Sequence, residues 1–165
     1  MMRWWKGAAL VAALASAAPA AAQEGITVGS KAPAVVIADL DGKPVDLAQY
    51  IGHRAFLLEF WATWCGVCEE LLPKVKAAHA AHGSKVEFFG VNVTVNQTKE
   101  RVKRYLERHD PPFRTLYDEQ GVAARAYDVP ITSYIVIVDA QGKVAYTGTG
   151  ADQDIDAALR RVAAR

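Results

Sequence analysis

The sequence predicts a single α/β domain with a mixed central sheet. Three observations predict it. Apolar runs of strand length alternate with stretches of helical periodicity, the pattern of strands joined by crossover helices. The last such run, Tyr134 to Val138, is followed by a Gln141-Gly142 turn and a short partner, so the sheet closes in an antiparallel hairpin. After residue 30 there is no linker, internal repeat or low-complexity tract, so the elements share one core.

The elements follow in order. Ala34 to Ile37 is a short strand, and Asp41-Gly42 marks a hairpin turn after it. Ala55 to Phe60 is an apolar run interrupted by one acid, as in a buried strand. Trp61 to Gly66 is a loop, and a helix starts near Cys65 and runs to about His82, where Gly83 ends it; Pro73 inside it predicts a kink. Val86 to Val93 is a second apolar strand. Lys99 to Arg108 is heavily charged with Val102, Tyr105 and Leu106 at helical spacing, an amphipathic surface helix whose basic residues form a solvated face. Arg114 to Tyr117 is a strand and Glu119 to Tyr127 a short helix. Tyr134 to Val138 and Val144 to Thr147 form the closing hairpin, and Ile155, Leu159 and Val162 mark a last helix.

Composition excludes several classes. Nineteen Lys and Arg against 18 Asp and Glu give a net charge of +1, too balanced for a polybasic nucleic-acid binder or an acidic disordered chain. Two cysteines are too few for a disulfide scaffold or a four-cysteine zinc site. Residues 1–22 stand apart: Arg3 and Lys6 precede the apolar run Gly7 to Ala18, and Ala20-Ala21-Ala22 leads to Gln23. This is the layout of a signal peptide, with the mature domain at 23–165. The run falls short of the roughly 20 apolar residues of a membrane span, and Pro19 breaks it. Its removal leaves 17 basic and 18 acidic residues, a net charge of −1, and no cysteine at which the new N-terminus could carry a lipid. Export delivers both cysteines to an oxidising compartment.

The segment that carries chemistry is Trp64-Cys65-Gly66-Val67-Cys68, between a predicted strand and a predicted helix. Two thiols at this spacing on a first helical turn can close a small disulfide ring. The helix N-terminus stabilises the thiolate of Cys65, which makes it a nucleophile and a good leaving group, and Cys68 can then resolve a mixed disulfide. As a structural staple so short a loop gains little. Glu59, six residues before Cys65 and flanked by Leu58 and Phe60, reads as a buried acid able to relay a proton.

Glu59-Phe60-Trp61-Ala62-Thr63-Trp64-Cys65-Gly66-Val67-Cys68, with Pro73 five residues later, resembles the active-site segment of the thioredoxin superfamily. With Asp41-Gly42-Lys43-Pro44-Val45-Asp46-Leu47, it resembles the periplasmic TlpA-like thiol–disulfide oxidoreductases over about residues 28–162. The resemblance implies a thioredoxin-like fold with an N-terminal hairpin extension and an inserted central helix. It implies dithiol–disulfide exchange with protein thiols in the periplasm, without a cofactor, by Cys65 and Cys68 with Glu59 handling protons. Gly66-Val67 lacks the His that oxidants of the superfamily often carry, which favours a reductant. Such a reductant would draw electrons from a membrane donor and could serve cytochrome-maturation proteins. The same two thiolates would also suit Cu(I) delivery or a thiol peroxidase.

The chain departs from the family at three places. The lysine that partners the buried acid in thioredoxins would fall near Gly90. The acid that some TlpA-like reductases place three residues after the second cysteine is Leu71 here, and Glu69 and Glu70 read as first-turn carboxylates. The family's cis-proline falls on Ser133, whether counted back nine residues from Gly142 or forward four from Val129; Pro130 comes three residues early and would take the position only if the strand were shifted, so the agreeing counts favour Ser133. Thr132 and Ser133, with Trp64, are thus the expected docking residues. His79 and His82 share a helix face and read as exposed imidazoles near a helix C-terminus.

Overall fold

The structure, a computed structural model, describes residues 24–163. The signal peptide read in residues 1–22 lies outside them. Seven strands form one sheet in the order β2-β1-β5-β4-β3-β6-β7: β1 (Val36–Asp39), β2 (Pro44–Asp46), β3 (Phe56–Trp61), β4 (Glu87–Val93), β5 (Arg114–Asp118), β6 (Tyr134–Val138) and β7 (Val144–Gly148). The central strands β3, β4 and β5 are parallel, and every other pairing is antiparallel. The helices are α1 (Gly66–His82), α2 (Lys99–His109), α3 (Val122–Ala126) and α4 (Ile155–Ala163). This is the thioredoxin-like fold, with the β1–β2 hairpin as the N-terminal extension and α2 inserted between β4 and β5.

Alternation along β3 divides the core. Phe56, Leu58 and Phe60 join Phe89, Val91 and Val136 on one face, where Ala123 and Tyr127 cover them. Leu57 joins Leu71, Val75, Ile137 and Leu159 on the other, under α1 and α4. At the far end of that face Trp61 meets Cys65, Cys68, Val102 and Tyr105, so α2 roofs the region around the cysteines. Its indole lies 5.0 Å from the Tyr105 ring and 5.9 Å from Phe113.

The two hairpins use the same turn. Asp39 and Asp139 each begin an Asp-x-x-Gly-Lys sequence. In both, one carboxylate oxygen accepts from the second and fourth following backbone N–H groups, and the glycine takes a positive φ, 85° at Gly42 and 78° at Gly142. The outer side of β7 is partly paired by the segment before β1: Gly29 N donates to Val144 O, Val144 N donates to Ser30 O, and Lys31 bridges Lys143.

Several sequence expectations shift. The first strand begins at Val36 rather than Ala34 and runs into the Asp39 turn. The helix expected from Glu119 is only Val122–Ala126, because Gly121 takes φ 63° and the Asp118 carboxylate caps Ala123 N and Ala124 N. Pro73 lies inside α1 without ending it. His82 is not an exposed imidazole: it is half-buried, 2.7 Å from the Asp156 carboxylate on α4. That contact and the Arg160 charge hold Asp156 below the usual carboxylate range. His79 is exposed but packs its ring edge-on against Phe88.

Candidate active site

β3 delivers the chain to the cysteines. After Trp61 the backbone turns through Ala62, Thr63 and Trp64, with Cys65 N donating to Ala62 O at 3.1 Å. Cys65 then caps α1. Its backbone is extended, and its sulfur accepts from Cys68 N at 3.1 Å, the bond that Ser or Asp makes at an ordinary N-cap. Cys65 and Cys68 are joined in a disulfide with their Cα atoms 5.3 Å apart. Negative charge formed on the capping sulfur would face the N–H groups of the first turn and the positive end of the helix. Cys65 is 6% exposed and Cys68 3%, so the bond is almost wholly buried, with Cys65 the more accessible of the two.

Glu59 is buried, on the same face of β3 as Trp61, and its Oε2 has no hydrogen-bond partner among the described residues. Burial alone pushes its carboxyl up to about 8. Its neighbour on β4 is Gly90, and the space over Gly90 is filled by the Phe113 ring, which a Cβ at Gly90 would strike. A lysine therefore has no room there, and an aromatic ring stands where a cation would offset the acid. Tyr105 is pushed up to about 12 by burial first and then by the charges of Glu69 and Glu59.

The other departures also have structural reasons. Leu71 is fully buried under the sheet, so an acid at that position would lie in the core, while Glu69 and Glu70 are exposed. Ser133 immediately precedes β6, whose Tyr134 pairs with Phe60, and so it adjoins the Trp61 end of β3 from which the cysteine loop departs. It is buried with φ 63°. Its Oγ accepts from Gly150 N at 3.2 Å and its carbonyl accepts from Gln153 Nε2 at 3.0 Å, so its polar contacts run to the segment before α4. Thr132 is half-buried beside it. Pro130 is exposed, and the described residues contain no cis peptide bond.

Trp64 is 50% exposed beside Cys65, and its Nε1 donates to Val95 O at 2.8 Å. Sequence reasoning missed the residues that hold this loop, Asn92 and Gln97. Asn92 interrupts the apolar β4 and could have been noticed, whereas nothing distinguishes Gln97 among the polar residues of its turn. Among the described residues no group of three or more His, Cys, Asp or Glu could hold a metal ion.

The parallel-centred sheet and the disulfide at the head of α1 define a thioredoxin-superfamily protein built for dithiol–disulfide exchange. Residues 27–162 match the redoxin family, and the chain belongs to that family. The thiol-disulfide oxidoreductase ResA of Geobacillus thermodenitrificans is 34% identical over 140 residues, covering 83% of this chain and 79% of that protein. ResA of Bacillus subtilis is 31% identical over 131 residues, covering 79% and 72%. The thioredoxin domain of a thiol-disulfide oxidoreductase from Bacteroides vulgatus superposes with a TM-score of 0.72 at 23% identity, over 82% of this chain and 97% of that one. A thiol:disulfide interchange protein from Chlorobium tepidum gives 0.67 at 23%, over 83% and 98%. The protein is a protein disulfide oxidoreductase whose redox centre is the Cys-x-x-Cys pair.

Proposed function

We propose that this oxidoreductase is exported by a cleavable signal at residues 1–22 and works in the periplasm as a reductant of protein disulfides. The observation that carries the exchange chemistry is the position of Cys65 as N-cap of α1, its sulfur already accepting a backbone N–H of the first turn, while the absence of a His from Gly66-Val67 supports the reducing direction. In the reduced protein the Cys65 thiolate attacks one sulfur of a target disulfide. An S–S bond forms between protein and target, and the other target sulfur leaves as a thiolate. Cys68, deprotonated, attacks the Cys65 sulfur, re-forms the Cys65–Cys68 bond and expels the second target thiolate. Two electrons pass to the target, and the protons released are taken up by the target thiolates or by solvent.

Glu59 is suited to accept the Cys68 proton. Its proton affinity, raised to about 8, lies close to that of a free thiol near 8.5, so the transfer is nearly balanced in either direction. Trp64 and Thr132 present the docking face, and the buried Ser133 shapes the backbone of that face. Regeneration requires a dithiol donor, which in this compartment is a membrane electron donor, and the targets include disulfides of cytochrome-maturation proteins. The relatives named as ResA thiol-disulfide oxidoreductases support the exchange chemistry.

The test is rapid alkylation of the reduced protein followed by peptide mapping, together with an insulin-reduction assay and a glutathione equilibrium. Cys65 should be labelled first, with a pH midpoint below the free-thiol value of about 8.5. Equal labelling of both cysteines, or Cys68 first, would overturn the roles. An equilibrium as oxidising as glutathione itself would overturn the direction.

A further inference from the structure

The loop from Ala62 to Trp64 carries the chain from β3 to Cys65, and it is tied to a turn of the chain more than 30 residues away. Gln97 Oε1 accepts from Thr63 N at 3.0 Å and from Asn92 Nδ2 at 3.4 Å. Asn92 Nδ2 also donates to Trp61 O at 3.4 Å, and Trp64 Nε1 donates to Val95 O at 2.8 Å. The Thr63 N–H demands an acceptor, which settles which end of the Gln97 amide faces it; the other end donates to Asn96 O at 2.9 Å.

The turn that provides these partners is itself anchored. Gln97 N donates to Thr94 O, with Asn96 in the left-handed region at φ 54°. Thr94 Oγ1 donates to Asp118 O at the end of β5, and Arg101 on α2 donates to Asn96 O. The cysteine loop is therefore fastened to a turn that β5 and α2 hold in place.

We propose that Gln97 is a positioning residue for disulfide exchange: by holding the Thr63 peptide, with Trp64 as a second tie, it keeps Cys65 over the first turn of α1 when the disulfide is open. In the oxidised protein the S–S bond itself holds Cys65 beside Cys68. Once that bond is reduced, the distance from the Cys65 sulfur to Cys68 N depends on the backbone at Cys65, and this loop sets it. A loosened loop lets the thiolate drift from the N–H groups that stabilise it. The thiol then holds its proton more tightly, and the reduced form loses stability relative to the disulfide, so the protein becomes more reducing. The inference rests on Cys65 being the attacking thiol.

Gln97→Met keeps the length and the apolar stem of the side chain but removes the acceptor. The measurement is the rate of iodoacetamide alkylation of reduced protein against pH, mapped to Cys65, with the glutathione equilibrium alongside. A small reagent keeps target docking out of the readout. The variant should lose about fivefold in alkylation rate at pH 7, the weight of one net hydrogen bond, with the midpoint moved upward and the equilibrium moved the same factor toward the disulfide. Trp64→Phe, which keeps a ring and removes the indole N–H, should shift both readouts in the same direction by a smaller factor. A Gln97→Met profile that overlays the parent's overturns the proposal; if that variant does not fold, an overlaying Trp64→Phe profile does. Labelling of Cys68 in place of Cys65 in the parent would instead remove the assigned nucleophile, and this proposal with it.

Discussion

Glu59 is a buried acid whose Oε2 has no hydrogen-bond partner among the described residues, and its pH dependence follows from that burial. Folding raises its carboxyl from 4.5 to about 8 by desolvation. Between those values the folded protein keeps a proton that the unfolded chain has released, so stability falls as pH rises through the window. The penalty is absent below about 4 and complete above about 8, where it is on the order of a few kcal/mol. Glu59→Gln should therefore match the parent in urea unfolding at pH 4 and exceed it at pH 9. The same variant should exchange disulfides with a flatter pH profile, since the amide cannot take a proton from Cys68. Unfolding curves separated by the same amount at both pH values would mean that the carboxyl ionises as freely in the fold as outside it.

Elements were legible where periodicity and punctuation agree. α1 could be read from Cys65 as cap to Gly83 as stop, and β6 from an unbroken β-branched run, because both lie wholly within one local pattern. The bounds of α3 were not legible, since they depend on a carboxylate at the end of β5 and a left-handed glycine. At the site, the cysteine pair and Glu59 announce themselves by type and context. Gln97 does not, because its importance comes from a contact across 34 residues of chain. Ser133 shows the limit of counting along a family pattern: the count reaches the residue but not its backbone. At φ 63° the position lies outside the range of a proline ring, so serine and proline are not interchangeable in this loop. Ser133→Pro should lower stability by about 2 kcal/mol as residues 130–133 are forced to re-form, whereas Ser133→Gly should lose less, keeping the backbone and giving up only the Oγ contact to Gly150. Pro130→Ala, at an exposed residue, should change little. Thermal unfolding ranks the three, and a Ser133→Pro midpoint equal to the parent's would show that the loop has a second, proline-compatible arrangement.

For the whole molecule, the decisive feature is how the sheet ends sideways. On one flank β2 is three residues long. Lys43 turns both its backbone groups inward to Asp39, so the next residue, Pro44, directs outward a position that has no N–H to give. On the other flank, residues 29–31 occupy the first backbone groups of β7. Pro44→Thr should leave the rate of insulin reduction as it is and raise concentration-dependent association, seen as larger species in light scattering; unchanged scattering at high concentration would show that the proline is not what guards this flank. A disulfide-exchange protein must meet extended, partly unfolded chains repeatedly and release each of them. With one flank short and interrupted at Pro44 and the other partly occupied by residues 29–31, capture of such a chain as an eighth strand is disfavoured, and an approach across the strand ends beside Cys65 leaves contact brief and dissociation following the chemistry.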